Sequence, residues 1–454
     1  MFKKILITTA LLATGATTLA KDNIKKMYWD GVEVVWLEDN RFPTYDIQVY
    51  FADGALSDGN KKAVTESMFN LIDAGTRRFS QKDIVDNLDY YGVSYSSNVN
   101  HEYSKFVVSG LVKDIDPTMR KICHLFKDSV FPKNQLNIAK KRAKNHLMNL
   151  STDHASLASR AFREISLYPS PFSYPTGGKL SDIKRIGQKD LKNKLEYFNK
   201  TVLKRIYLTG PKNVLSIKRI INEDCGWSGS AQFVRKVNFD KRKDHKGPRI
   251  TLVTVDKANQ AQVRFGKLLL KEEYEKRAPL TLASHYLGGG FTSRLMRELR
   301  SNRGFVYSVS AFAGGQKDYG RSVISTFTKN ENVIELIKVV KGILANSDAK
   351  TLDKTKDFAL SQSSLAGSHP FKYESNSSFL SELMFMDHVG REYSEIYNFP
   401  NAIMKSTPQD VADSLYGAFN WDDMNIVILG DKALLKSLKK EFKNVRAVTY
   451  KRYL

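Results

Sequence analysis

Apolar residues recur with two different periods along the first half of the chain. Runs rich in β-branched and aromatic residues at 32–37 and 45–51 predict neighbouring strands. Residues 63–74 show helical spacing instead, which predicts a helix with one apolar face. Its apolar stripe consists of Val64, Met68, Leu71 and Ile72.

Strands and helices continue to interleave after this helix. The same patterns predict strands over 93–98 and 106–111, and helices over 80–91, 116–130 and 133–167. Hairpin-like strands mixed with helices are typical of an α+β protein, with a sheet layered by helices in each half.

The chain contains an internal repeat. Residues 48–51, Gln-Val-Tyr-Phe, recur as residues 262–265, Gln-Val-Arg-Phe, and both lie in strand-like runs. The twenty-residue separation between Asp190 and Gly210 is repeated by the aspartate and glycine of residues 410–430. Offsets this constant predict two homologous domains of about 210 residues each.

The charged segment 234–249 separates the two copies. It contains seven Lys or Arg residues and two Asp residues, and ends in a Gly-Pro break, which is typical of a linker. The predicted organisation is therefore a domain at 21–233, a basic linker at 234–249 and a second domain at 250–454.

The first twenty residues resemble a secretion signal. Two lysines precede a short apolar run, and small residues end the segment at Ala20. The apolar run is too short to span a bilayer, and no later stretch predicts a transmembrane helix. We expect an exported protein, periplasmic in a Gram-negative cell.

Net charge and cysteine content bear on the binding partners and on disulfide bonding. The chain of 454 residues carries a net charge of +23, which attracts acidic peptides, lipid head groups or nucleic acid, or serves solubility alone. No nucleic-acid-binding motif accompanies the charge, so no nucleic-acid partner is predicted. The two cysteines, Cys123 and Cys225, lie in or beside apolar segments and are expected to be buried free thiols.

A glycine-rich motif in the second half indicates a family. Residues 287–295, Leu-Gly-Gly-Gly-Phe-Thr-Ser-Arg-Leu, are followed by Leu299-Arg300 and by Gly304-Phe305-Val306-Tyr307. Together with residues 51–54 and 73–76 of the first half, they resemble peptidase family M16, which includes pitrilysin, insulinase and the mitochondrial processing peptidase. The resemblance implies two homologous αβα-layered domains.

Active members of that family carry an inverted zinc motif, His-x-x-Glu-His, on the helix that ends near residue 75. Two histidines four residues apart bind one zinc ion, and the glutamate acts as the general base. At the matching positions this chain has Glu66, Phe69 and Asn70. The approximate match to the third ligand is Asn145 or His146. The resemblance therefore implies no metal site and no catalytic residue of its own.

The second domain keeps another feature of the family. An arginine and, seven residues later, a tyrosine hold the substrate backbone and polarise the scissile carbonyl, and Arg300 and Tyr307 stand at that spacing. The structural alternative is that Arg300 caps a helix or forms an ion pair while Tyr307 packs in a strand.

These features favour a non-catalytic M16 subunit that is inactive alone. Its expected partners are unfolded peptides and either a zinc-bearing M16 paralogue or a second copy of itself, with zinc, the cofactor, held by the partner. One alternative is a structural or binding scaffold without a proteolytic role, and another is an autonomous zinc peptidase with rearranged ligands.

Overall fold

A computed structural model describes residues 23–229, 237, 239, 246–354 and 356–454 of the chain. The predicted signal at 1–20 and most of the predicted linker at 234–249 lie outside the described residues. Within the described ranges, no helix is both long enough and apolar enough to cross a bilayer.

The four predicted runs correspond to the second to fifth strands along the chain, within two residues at either end, and further strands occur beside them. The strands are β1 (Ile24–Trp29), β2 (Val32–Glu38), β3 (Thr44–Phe51), β4 (Ser94–Val99), β5 (Ser104–Leu111), β6 (Lys204–Gly210), β7 (Arg249–Thr254), β8 (Gln260–Gly266), β9 (Leu268–Leu269), β10 (Val309–Gly315), β11 (Gly320–Lys329), β12 (Asn425–Gly430) and β13 (Val445–Thr449).

Helices lie between and after these strands. They are α1 (Val64–Asn70), α2 (Gln81–Tyr90), α3 (Ile115–Asp128), α4 (Lys133–Asn149), α5 (His154–Ser166), α6 (Leu180–Arg185), α7 (Gln188–Lys200), α8 (Lys218–Glu223), α9 (Lys271–Tyr274), α10 (Arg277–Gly288), α11 (Arg294–Met296), α12 (Val333–Ala345), α13 (Ala349–Asp353), α14 (Lys356–Ser368), α15 (Asn376–Val389), α16 (Ser394–Lys405), α17 (Pro408–Phe419) and α18 (Leu434–Glu441).

The described residues form two compact units, and neither unit is one continuous stretch of chain. Unit 1 contains residues 23–139, 185–229 and 372–397. Unit 2 contains the described residues of 140–184, 246–371 and 398–454. Each unit therefore includes a helical segment from the other half of the sequence. The contiguous domain boundaries inferred from the repeat stay a prediction.

A six-stranded sheet in the order β1-β2-β6-β3-β5-β4 forms the centre of unit 1. Helices α1, α3 and α7 supply aromatic side chains to one face of this sheet. On the other face, α15 packs across β3 and β6 and buries Phe379 and Leu383 against Tyr50 and Tyr207. Unit 1 is thus a helix–sheet–helix sandwich.

Polar contacts fix the position of α15 on the sheet. The Tyr207 hydroxyl donates to the Asp387 carboxylate at 2.8 Å. The Tyr50 hydroxyl lies 2.9 Å from Nδ1 of the neighbouring His388. Both tyrosines stand on the apolar face of the sheet, so these hydrogen bonds satisfy buried polar groups and set the register of α15.

Unit 2 repeats the architecture of unit 1. Its sheet has the order β10-β11-β8-β12-β7-β13, and β9 pairs with β11. Helices α10, α12 and α17 enclose a core on one face of the sheet, and α5 packs on β8 and β12. The order β2-β6-β3-β5-β4 of unit 1 matches β7-β12-β8-β11-β10 of unit 2. The prediction of an α+β fold with a duplicated layered domain is confirmed.

One predicted helix is divided. Residues 133–167 form two helices, α4 and α5, separated by a turn. The hydroxyls of Ser151 and Thr152 donate to the carbonyls of Met148 and Asn149, which ends α4. Asp153 then accepts from the Ser156 backbone N–H at 3.1 Å and caps α5. Short polar side chains favour caps over helix interiors, so the prediction of a single long helix was wrong.

The expectation of two free thiols is also wrong. Cys123 of α3 and Cys225, which follows α8, form a disulfide that closes a separation of 102 residues. Both cysteines are buried. The nearby Trp227 ring packs 5.2 Å from Phe126, so this disulfide ties the last described residues before the linker to the aromatic core of unit 1.

We predict that Cys123→Ala, Cys225→Ala and the double variant lose a similar free energy of unfolding, because each removes the same cross-link. A loop this long corresponds to a loss of about 2–5 kcal/mol. Urea unfolding under non-reducing conditions measures the loss. If the losses of the two single variants add up in the double variant, the cysteines act independently and the cross-link is contradicted.

Candidate functional site

Helix α1 occupies the position of the zinc helix implied by the resemblance. The buried Asp58 anchors its start, because its Oδ1 accepts from the Thr65 backbone N–H at 3.1 Å and from the Thr65 hydroxyl at 2.5 Å. Burial raises the pKa of the Asp58 carboxyl, and the Lys194 ammonium 3.3 Å away opposes that rise. The helix is therefore fixed at its N-terminal end by a buried polar contact.

The three motif positions on α1 differ in their exposure to solvent. Phe69 is 3% exposed and packs in the core. Glu66 is half-buried and Asn70 is exposed. Asn145 and His146, the approximate matches to a third ligand, are both exposed on α4.

Phe69 belongs to a cluster of aromatic rings. Its ring centroid lies 5.6 Å from that of Phe51 on β3 and 5.4 Å from that of Phe198 on α7, both edge to face. Phe126 of α3 stacks on Phe51 at 5.6 Å. Edge-to-face and offset contacts at these distances stabilise a core beyond simple burial. The position that carries the glutamate in active peptidases is here part of the hydrophobic core.

These residues do not fit a zinc ion. Phe69 has no donor atom, an asparagine amide is a poor ligand for zinc, and Glu66 offers one carboxylate. Throughout the described ranges, no group of three or more His, Cys, Asp or Glu side chains is placed to hold a metal ion. Neither a ligand set nor a general base remains on this helix.

The glycine-rich motif of residues 287–295 and the residues after it form a different kind of site in unit 2. Helix α10 ends at Gly288, where a Cβ would lie 2.5 Å from the Ala311 backbone nitrogen of β10. Only glycine permits so close an approach. The chain then forms α11, which continues as a π-helix over Arg297–Asn302, and turns at Gly304 with φ of +63°. π-Helical turns are frequent at functional sites.

Buried side chains hold this segment in place. Leu295, Leu299 and Val306 all lie in the core of unit 2. Between these anchors, residues 300 and 307 are directed away from the core, since Arg300 is only half-buried and Tyr307 is 72% exposed. A fixed backbone therefore presents two side chains to solvent.

Arg300 and Tyr307 lie together, and a third residue joins them. The Arg300 guanidinium carbon lies 5.0 Å from the centroid of the Tyr307 ring and 5.4 Å from that of Phe291. Phe291 is 77% exposed. These are cation–π contacts, which orient a guanidinium without using its N–H donors.

The Arg300 N–H donors are available for a ligand. Within the described part of the chain, no hydrogen bond or ion pair engages the Arg300 guanidinium. Of the structural alternative, an Arg300 ion pair is absent from the described residues, and Tyr307 is 72% exposed and precedes β10, whereas a helix-capping role of Arg300 stays an alternative. An oriented guanidinium beside a phenol can donate hydrogen bonds to peptide carbonyl oxygens.

Comparison with known proteins finds similarity to one family. A family model described as the peptidase M16 inactive domain matches residues 218–356, which include Phe291, Arg300 and Tyr307. A relative from Helicobacter pylori named non-peptidase homolog YmxG is 24% identical over 445 residues, covering 95% of this chain and 99% of the relative. The chain is thus similar to proteins of peptidase family M16.

Other similarities cover most of this chain. A relative from Bacillus subtilis named uncharacterized zinc protease YmxG is 20% identical over 398 residues, covering 85% of this chain and 94% of the relative. The solved structure of a peptidase M16 inactive domain from Pseudomonas fluorescens is similar with a TM-score of 0.79 at 20% identity. It covers 90% of this chain and 98% of that chain, and this likeness supports the fold.

The sequence patterns alone did not predict two features of this chain. Phe291 was quoted only as part of the glycine-rich motif, although a phenylalanine directly after three glycines is poorly placed for burial. The direction of Phe69 was also missed, because the predicted stripe on α1 omitted it. Phe69 lies four residues after Thr65 and three before Ile72, both buried, and this spacing is the signal that would have placed it in the core.

We predict that Phe69→Glu strongly destabilises unit 1, although it restores the carboxylate of the active M16 motif. The charge would be buried among aromatic rings, at a cost of several kcal/mol, roughly 4 or more. Phe69→Leu is the matched control, with an expected loss of about 1 kcal/mol. Urea unfolding followed by tryptophan fluorescence measures both, and equal stability of the two variants would show that residue 69 reaches solvent.

Proposed function

We propose that this chain is a non-catalytic subunit of an M16 zinc metallopeptidase. It supplies Arg300 and Tyr307 as peptide-binding groups and half of a peptide-degrading chamber to a zinc-bearing partner. The observation that carries the proposal is the Arg300 guanidinium, which two exposed aromatic rings orient while its donors stay unused.

The chemistry of these side chains suits the carbonyl of a bound peptide. The oxygen of a scissile carbonyl becomes negative in the transition state, and preorganised donors then stabilise it more than in the ground state. A guanidinium provides several N–H donors in a fixed plane, and a phenol provides one more. Attack on the carbonyl also needs an activated water, for which α1 offers neither a metal ligand set nor a base, so the partner supplies the zinc.

Export of this protein is part of the proposal. Residues 1–20 resemble a secretion signal, and a disulfide between Cys123 and Cys225 persists best in an oxidising compartment such as the periplasm. The subunit would meet unfolded peptides there together with its partner, which is a zinc-bearing paralogue or a second copy.

A scaffold without a proteolytic role is the second candidate. One relative is named a non-peptidase homolog and the matching family model is described as an inactive domain, and both descriptions favour this candidate. The two candidates differ in what Arg300 and Tyr307 do, because a scaffold needs neither side chain for catalysis.

We predict that the purified chain hydrolyses no peptide alone but raises peptide hydrolysis by a zinc-bearing M16 chain from the same cell. In the mixture, Arg300→Gln or Tyr307→Phe is expected to lower kcat by about 100-fold, the usual effect of removing one such donor. Gel filtration of each mixture tests whether assembly is intact.

Tyr416→Phe is the matched control, because Tyr416 has the same exposure of 72% and lies on α17 of the same unit. It should leave kcat unchanged. Unchanged turnover in both Arg300→Gln and Tyr307→Phe would contradict the catalytic contribution and favour the scaffold. Hydrolysis by the purified chain alone would contradict both candidates.

A further inference from the structure

Four arginines recur at every third position around the peptide-binding group. They are Arg294, Arg297, Arg300 and Arg303. Within this stretch Glu298 is the acidic residue. Arg294, Arg297 and Arg300 lie on one continuous helical segment, α11 and the π-helix that follows it, and Arg303 is the residue directly after its end.

Three of these arginines line a groove in unit 2. Arg294, Arg297 and Arg303 form one wall, and Lys338 of α12 stands among the residues of the opposite wall. The groove has a volume of about 580 Å³ and is also lined by the amides of Asn302 and Asn346. This volume suits a few side chains of a peptide, whereas a folded domain does not fit.

Most charges in the groove are already paired. Arg303 Nε lies 2.7 Å from Glu298 Oε1, and Arg297 forms an ion pair with Asp357. Hydrogen bonds from Arg303 and Asn302 lower the pKa of the Glu298 carboxyl, which therefore stays ionised. Lys338 lies 3.2 Å from Glu335 and 3.0 Å from Glu441.

Arg294 differs from the other groove arginines. Within the described part of the chain, no hydrogen bond or ion pair engages its guanidinium. Arg294 lies near enough to Glu298 to help lower the pKa of its carboxyl, but the Glu298 oxygens accept from Arg303 and Asn302, so the N–H donors of Arg294 remain unused. A guanidinium fork matches a carboxylate in geometry as well as in charge.

We propose that this groove binds acidic side chains of the peptide that Arg300 and Tyr307 hold, so that the protein selects acidic peptides. This inference rests on the proposed peptide-binding function and names its substrate class. Six residues of helix separate Arg294 from Arg300, a rise of roughly 9 Å. An extended peptide covers that distance in about three residues. The favoured acidic side chain thus lies two to three residues from the carbonyl bound by Arg300.

The chemistry around the groove favours a peptide over other anions. Arg300 offers free donors for a backbone carbonyl, and the exposed rings of Phe291 and Tyr307 offer apolar contact for neighbouring side chains. The net charge of +23 adds long-range attraction for an acidic chain, which increases the association rate at low ionic strength. Overall charge alone would attract every polyanion equally, whereas the geometry of the groove distinguishes an acidic peptide from other polyanions.

The test is fluorescence anisotropy of the full chain with two labelled, unfolded peptides. The peptides are identical except that one carries glutamates where the other carries glutamines. At low ionic strength the glutamate peptide is expected to bind roughly fivefold more tightly, the effect of about one exposed ion pair. Arg294→Gln should remove this difference without weakening the glutamine peptide, and Arg294→Lys should keep part of it.

Lys439→Gln is the matched control, since it removes one positive charge from an exposed position on α18 of the same unit. It should leave the preference unchanged. Equal binding of both peptides by the unmodified chain, or an equal loss in Lys439→Gln and Arg294→Gln, would overturn selection by the groove. A single-stranded oligonucleotide that binds as tightly as the glutamate peptide would also overturn it, because attraction would then be unspecific.

Two results separate this inference from the proposed function. If both peptides bind equally and Tyr307→Ala weakens the binding of both, the proposed peptide binding is supported and the selection of acidic peptides is contradicted. If neither peptide binds, both proposals fall. Circular dichroism shows whether Arg294→Gln folds. If it does not, the comparison of the two peptides on the unmodified chain and on Arg294→Lys still tests whether the groove selects acidic peptides.

Discussion

The packing of Phe69 into the aromatic core of unit 1 is the constraint on which this account depends. The ring contacts Phe51, Phe126 and Phe198, which come from the sheet and from two helices. A carboxylate at this position would be desolvated among rings, and a buried charge without a partner is among the most costly changes a core can receive. Because the helix uses this position for packing, it cannot use the same position to activate water.

The two halves of the duplicated fold therefore offer different chemistry from the same architecture. In unit 1, the helix after the central β3 strand is committed to the core through Phe69 and to the buried Asp58 at its start. In unit 2, the corresponding segment presents the half-buried Arg300, whose guanidinium contacts two exposed rings. The same architecture therefore carries different side chains at corresponding places in the two units, and a site on a fold is determined by its side chains.

Local signals in the sequence predicted most of the fold and part of the site. The four predicted strands, the helix predicted over 80–91 and the two copies of the repeat each depend on patterns within short segments, and the structure contains all of them. The pairing of Cys123 with Cys225 depends on two segments about a hundred residues apart, which no local pattern reports. The Arg300–Tyr307 spacing was visible, but the role of Phe291 depends on a turn that brings it back over the guanidinium.

The most direct test of the central claim is the zinc content of the purified chain after equilibration with excess zinc and gel filtration. The account predicts well below one zinc ion per chain, because α1 presents Glu66, Phe69 and Asn70 where a metal needs donors. One tightly held zinc ion per chain, bound by ligands of this chain alone, would contradict it.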